Sequence, residues 1–271
     1  MLQSTTPQRI LNDFRLGERK LVSIVGSGGK TSLLLYLAGL LRGHANVIIS
    51  TTTKIILPSE HLYDAAFGSV ADLKAAVKDG YINESTARTV VLHQGFIPEV
   101  PNKVEGIKPK DGTYLSHLPA ITLIEADGSR QLPLKWWKEA EPVIPNGNGA
   151  TIGVIPIDLF GQTVGDHNFY NLDGFEETFS YRPKTVDADL LIKLIVHPDG
   201  LFKNSTSDKI LVFSRCETDH HVQLANEIVD GVRGMAPELI TQAFTLSVKE
   251  MQHENFSHYT CRWPIQEDGP Q

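Results

Sequence analysis

Apolar residues in this chain fall into short continuous runs that alternate with longer stretches of helical spacing. Residues 21–25 are a brief apolar run stopped by glycine, which predicts a strand buried on both faces. Residues 30–42 contain no proline and set Leu33, Leu34, Leu37, Leu40 and Leu41 at helical spacing, with Gly43 placed to end the helix. Residues 46–50 predict a second strand, completing a strand–helix–strand unit with a right-handed crossover. The alternation continues with strands over 65–67, 89–93, 120–124, 150–157, 209–213 and 243–247, and helices over 70–79, 186–196 and 220–232. Residues 95–110 carry three prolines and read as a connection. Residues 161–184 mix glycine, acids, asparagine and aromatics without a clean period.

This order predicts an α/β fold: a mostly parallel sheet covered by helices on both faces. It assigns one domain to 1–250, with a lid-like insertion near 158–184, and a polar, fraying tail to 251–271. Composition agrees. The 271 residues are 41% hydrophobic, and chains of this size bury about three quarters of their unfolded surface without a metal or disulfide staple. Cys216 and Cys261 form no framework or CxxC pair. A net charge of −7 lacks the footprint of a nucleic-acid binder or a polybasic membrane protein. No run of 18 apolar residues exists, and the first residues lack a cationic region before an apolar one. The expectation is a cytoplasmic, unanchored protein with neither nucleic acid nor membrane as partner.

Ligands in wound parallel sheets bind beyond the carboxyl ends of the strands, so the chemistry is sought there. The first such end is Gly26-Ser27-Gly28-Gly29-Lys30-Thr31, followed by Ser32. Its glycines allow a sharp turn that turns N–H groups toward an anion, and the helix beginning at Lys30 adds partial positive charge. Lys30 suits terminal phosphates and Thr31 a Mg²⁺ ion. The full G-x-x-x-x-G-K-[ST] pattern is incomplete, because Ile24 stands where its first glycine belongs. A glycine turn with an incidental lysine is the bland reading.

The second strand end offers Thr52, Thr53 and Lys54 as phosphate contacts, against plain β-propensity and helix capping. The third is Glu125-Ala126-Asp127-Gly128-Ser129-Arg130. Its carboxylates suit Mg²⁺ or an attacking water; they are expected to point to opposite faces if the strand persists, so that only one meets the metal directly, and Arg130 suits a phosphate. Asp-Gly is otherwise a turn dipeptide. Lys30, Glu125 and Asp127 are thus the candidate catalytic set, Thr31 and Glu125 the candidate metal ligands, and a Mg²⁺-bound nucleotide the candidate ligand. His220-His221 reads as an exposed helix start, and Trp136-Trp137 as one buried ring with one at the surface or a lid.

Five ordered motifs resemble one family. They are 25–31, Ser50-Thr51-Thr52-Thr53-Lys54-Ile55, Glu125 to Arg130 with Leu132-Pro133-Leu134-Lys135, Glu141-Pro142-Val143-Ile144-Pro145, and His197-Pro198-Asp199-Gly200-Leu201-Phe202-Lys203. The chain resembles the selenium-dependent molybdenum hydroxylase accessory proteins of YqeC type. The resemblance implies a P-loop NTPase-like nucleotide-binding protein that assists maturation of molybdenum hydroxylases, with such a hydroxylase or its cofactor-maturation proteins as partner. It implies a slow NTPase or a nucleotidyl or phosphoryl transferase, and leaves open a non-hydrolysing cofactor chaperone or a small-molecule kinase or ligase. The loop also resembles the short G-x-x-G-K-T loop of Mur ligases, which points to ATP more than GTP and leaves CTP open. Where relatives often carry Asn-Lys-x-Asp, this chain has Ser214-Arg215-Cys216-Glu217, and serine cannot reproduce the amide contact of asparagine to guanine.

Overall fold

The computed structural model describes residues 12–247 and 260–262. In chain order the elements are β1 (Leu21–Gly26), α1 (Lys30–Leu41), β2 (Val47–Thr51), β3 (Lys54–Ile56), β4 (Ala65–Phe67), α2 (Val70–Lys78), β5 (Thr89–Leu92), β6 (Lys103–Glu105), α3 (Gly112–Leu115) and β7 (Ile121–Glu125). There follow β8 (Leu134–Lys135), β9 (Ala150–Pro156), β10 (Phe169–Tyr170), α4 (Leu172–Phe179), α5 (Ala188–Val196), β11 (Asp208–Ser214), α6 (Asp219–Met235), β12 (Gln242–Ser247) and β13 (Thr260–Arg262).

Nine strands form one sheet in the order β13, β12, β11, β9, β1, β7, β2, β5, β4. Every neighbouring pair is parallel except β12 with β13. The fold is therefore the expected α/β type with a mostly parallel sheet. Of the expected polar tail, 251–259 and 263–271 lie outside the described residues, while 260–262 supply the antiparallel edge strand.

The period-two alternation of the central strands explains the covering on both faces. Val22 and Ile24 of β1 point into one core with Leu33, Leu34 and Leu37 of α1, while Leu21 and Val25 point into a second core with Leu190, Leu194, Ile228 and Val229 of α5 and α6. The helices begin where local chemistry predicts. Ser69, Asp187 and Thr218 each accept a backbone N–H from the first turn that follows, which satisfies donors a helix start leaves open. α1, α3 and α4 start without a side-chain cap, and Gly29, which precedes α1, has no side chain to offer one.

Strands β1 and β2 flank the same helix yet are not neighbours, because β7 lies between them. The register sets Glu125, the last residue of β7, opposite Ile24 on one side and Thr51 on the other. Three loops far apart in sequence thus leave one edge of the sheet side by side.

Two short pairings escape sequence periodicity because they are too brief to show one. β3 pairs antiparallel with β6, and β8 pairs parallel with β10. Phe169, Phe175 and Phe179 of the aperiodic stretch pack with Trp136: Trp136 meets Phe175 and Phe179, and Phe169 meets Phe175, edge-to-face with ring centres 5.4 to 5.7 Å apart, while Phe175 and Phe179 are tilted at 4.4 Å, so aromatic packing replaces amphipathic pattern there.

Leu123 is fully buried at the centre of β7. Leu123→Ala should cost about 2–5 kcal/mol through the cavity left behind. Lys54→Ala, which removes an exposed ion pair to Glu105, should cost no more than about 1 kcal/mol. Urea unfolding of both variants checks the contrast.

Candidate functional site

The site grows from the end of β1. Gly26 has φ +102°, and a Cβ there would stand 2.2 Å from the Val154 carbonyl oxygen on neighbouring β9. Gly28 has φ +65°, and its Cβ would meet the Pro156 ring at 2.4 Å. The loop therefore lies flat against β9 only because both positions lack a side chain. The Ser27 N–H donates to Val154 O, and the N–H groups of Gly28, Gly29, Lys30, Thr31 and Ser32 reach no protein acceptor among the described residues. These are the open donors of a helix start with no capping side chain, beside a helix whose first turn holds no acid. Such an arrangement can donate several hydrogen bonds to one anion.

Beneath the loop lies a buried charge network. The Lys30 ammonium donates to Gly26 O at 2.8 Å and stands 3.7 Å from Glu125 Oε1 and 3.3 Å from Asp127 Oδ1. Thr31 Oγ1 donates to Glu125 Oε2 at 2.7 Å. Both carboxylates thus reach the same cation, which corrects the expectation that they diverge: residues two apart along an extended chain share a side.

Asp127 is wholly buried and is the most heavily bonded side chain of the site. Its Oδ2 accepts from the Gly26 N–H at 2.9 Å and from the Trp137 indole at 2.7 Å, and Lys135 Nζ donates to it at 3.3 Å. Its Oδ1 faces Lys30 but receives no aligned hydrogen bond. Lys135, also wholly buried, donates further to Gly128 O at 2.6 Å and to Glu141 Oε2 at 2.9 Å.

Two ammonium groups therefore face three carboxylates in a largely dry region. Burial pushes the Glu125 carboxyl above its ordinary value, and the Asp127 charge adds to that; Lys30 and the Thr31 hydroxyl pull the other way and do not overcome it.

The remaining predicted residues divide. Thr52 sits at the same sheet edge, with its hydroxyl donating to Val143 O at 2.7 Å. The Thr53 hydroxyl lies 3.2 Å from that of Thr51, which itself donates to Glu125 O. Lys54 turns away into the β3–β6 pairing, where its exposed ammonium pairs with Glu105 at 3.3 Å. Ser32 is half-buried on the first turn of α1. Arg130 is exposed, with its guanidinium 5.4 Å from the centre of the Tyr170 ring.

Sequence reasoning missed the roles of Lys135, Trp137 and Glu141. Lys135 and Glu141 lay inside quoted motifs, but nothing in their spacing shows that they meet Asp127. Both tryptophans are 3% exposed, so the expected surface ring is absent: the indole N–H of Trp137 is needed by a buried carboxylate. His221 caps locally, its Nδ1 accepting from the Glu217 N–H. No cluster of three metal-ligating His, Cys, Asp or Glu residues occurs among the described residues.

The family model described as YqeC protein matches residues 22–173, which takes in the glycine loop, the strand ending in Glu125, Lys135 and Glu141. The chain belongs to the YqeC family. It is 33% identical over 217 residues to the protein described as "Uncharacterized protein YqeC" of Escherichia coli (strain K12), covering 74% of this chain and 80% of that one. No solved structure matches. Among the described residues of this YqeC-family chain, no helix is long and apolar enough to cross a membrane.

Two outcomes follow from the network. Lys135→Met leaves buried Asp127 with Lys30 as its one remaining cation and half-buried Glu141 with none, and should cost about 3–5 kcal/mol in urea unfolding. Glu125 binds its proton more tightly folded than unfolded, so wild-type stability declines as pH rises from the ordinary carboxylate range through its elevated pKa. Glu125→Gln lacks that decline and should gain on the wild type across the same window, with a chelator present. A stability difference that stays flat with pH would overturn this account.

Proposed function

We propose that this chain binds a Mg²⁺-complexed nucleoside triphosphate at the glycine loop and acts on it slowly, as an NTPase or a phosphoryl or nucleotidyl transferase. The observation that carries the reading is the row of open N–H groups from Gly28 to Ser32 in the same loop whose Gly26 carbonyl accepts from the buried Lys30 ammonium. Backbone donors and a lysine at a helix start form a general answer to a polyphosphate.

The donor set also suits a hard divalent cation. Thr31 Oγ1 and Glu125 Oε2 lie 2.7 Å apart at the mouth of the site, Asp127 Oδ1 has an unfilled lone pair, and the carboxylates outnumber the ammonium groups. Thr31 and Glu125 are the ligands we assign to Mg²⁺, which would supply charge neutralisation on the phosphates. Lys30 holds positive charge at the floor of the loop, where charge develops on a transferring phosphoryl group. Asp127 keeps Gly26 and Lys30 in place through its own bonds. Arg130, Thr52 and Thr53 stand at the same edge as secondary contacts.

Ser214 favours ATP over GTP in this reading. Its hydroxyl donates to Gly28 O at 2.6 Å, so it braces the loop instead of reading a base. A destination in molybdenum hydroxylase maturation, with the hydroxylase or its cofactor-loading proteins as partner, rests on the motif resemblance and is part of the proposal.

Calorimetry with Mg-ATP, Mg-GTP and Mg-CTP tests it. At least one should bind, with Mg-ATP no weaker than Mg-GTP. Lys30→Ala should reduce affinity roughly 10- to 150-fold through loss of a charge-assisted contact. Because that change also bares two buried carboxylates, Thr31→Ala at an exposed position serves beside it, and should weaken the Mg²⁺ dependence. Unchanged affinities in both variants would defeat the assignment.

A further inference from the structure

Beside the buried network lies a second concentration of charge, from which the nucleotide reading takes Arg130 only as a secondary contact. The Tyr170 ring has Lys138 Nζ 5.3 Å from its centre and the Arg130 guanidinium at 5.4 Å. Both cations are exposed, and neither forms an ion pair with a carboxylate among the described residues. A ring face is a weak partner for a full charge in water, and two like charges gathered on one ring repel each other.

The backbone nonetheless holds them there. Arg130 and Gln131 adopt φ of +50° and +65°, and Asn171, next to Tyr170, adopts +60°. Consecutive non-glycine residues in the left-handed region persist only where the surroundings over-determine them, and they gather at functional sites. β8 and β10 lock the two loops together, with Tyr170 in register with Lys135. Lys203, itself paired with Asp199, donates to the Lys138 carbonyl.

The platform adjoins the network through a single side chain. Lys135 Nζ stands 3.3 Å from Asp127 Oδ2 and 5.9 Å from the Tyr170 ring centre, so the ring lies within the sum of those distances from the carboxylate. The Lys135 charge is already matched by Asp127 and Glu141. Arg130 and Lys138 are left as the unmatched pair.

We propose that Arg130, Lys138 and Tyr170 form the subsite for a second, dianionic substrate, a phosphate ester whose phosphate sits between the two cations. The proposal deepens the nucleotide reading, since it makes the partner of the triphosphate a phosphorylated compound. Two cations match the charge of a phosphate monoester, and a guanidinium fork fits its oxygens. The Tyr170 ring holds both cations near one another and so sets where that phosphate binds.

The test uses phenyl phosphate as probe, titrated by calorimetry into the full chain. Binding to the wild type is expected, and Arg130→Gln with Lys138→Gln should weaken it at least about 10-fold, as loss of two charge-assisted contacts requires. Lys20→Gln with Lys209→Gln, which removes equal charge at the amino ends of β1 and β11, should leave it unchanged. Both pairs are surface substitutions, and circular dichroism checks that each variant folds. No binding to the wild type, or equal loss in both double variants, overturns the proposal. A chain that binds phenyl phosphate in the expected way but no Mg-nucleotide would sink the nucleotide reading alone; the reverse would sink this one alone.

Discussion

The Asp127 carboxylate is the interaction on which the rest of the site depends. It is buried completely, so its charge must be compensated within the protein. Compensation comes from four parts of the chain: the Gly26 N–H at the end of β1, Lys30 at the start of α1, Lys135 on β8 and the Trp137 indole. One side chain therefore fixes the glycine loop, the first turn of the helix and the segment beyond β7 to one another. Pairing of this kind adds little net stability over an apolar core, but loss of any one partner leaves a charge stranded. The network thereby favours a single arrangement of these loops over others of similar compactness.

Much of this was legible in the sequence. Apolar runs bounded by glycine or turn residues marked each of the eight parallel strands of the large sheet, because strands inside such a sheet are mostly apolar. The glycine loop, Lys30 and the two carboxylates were visible for the same reason: they interrupt apolar strands at the ends where ligands gather. The cradle itself was less legible. Gly26 and Gly28 are required by the proximity of β9, more than a hundred residues away in sequence.

What sequence could not show was which side chains meet. Lys135 and Glu141 are eight and fourteen residues beyond Asp127, spacings that carry no geometric meaning in a loop. Trp137 was misread because an indole in a mixed segment suits a surface as well as a core, and the buried acceptor that draws it inward appears only in three dimensions. The aromatic cluster around Phe175 was invisible to periodicity because its members come from a loop, a two-residue strand and a short helix.

The position of β7 has a consequence for the order in which the chain can fold. During synthesis β1, α1 and β2 emerge first, yet the strand that belongs between β1 and β2 follows β2 by some seventy residues. Until it arrives, both strands expose unpaired edges, a hazard for pairing with other chains. The last strand of this central trio to be made also carries Glu125 and leads into Asp127. The charged pocket cannot exist in any nascent fragment ending before β7, and its assembly coincides with closure of the gap between β1 and β2.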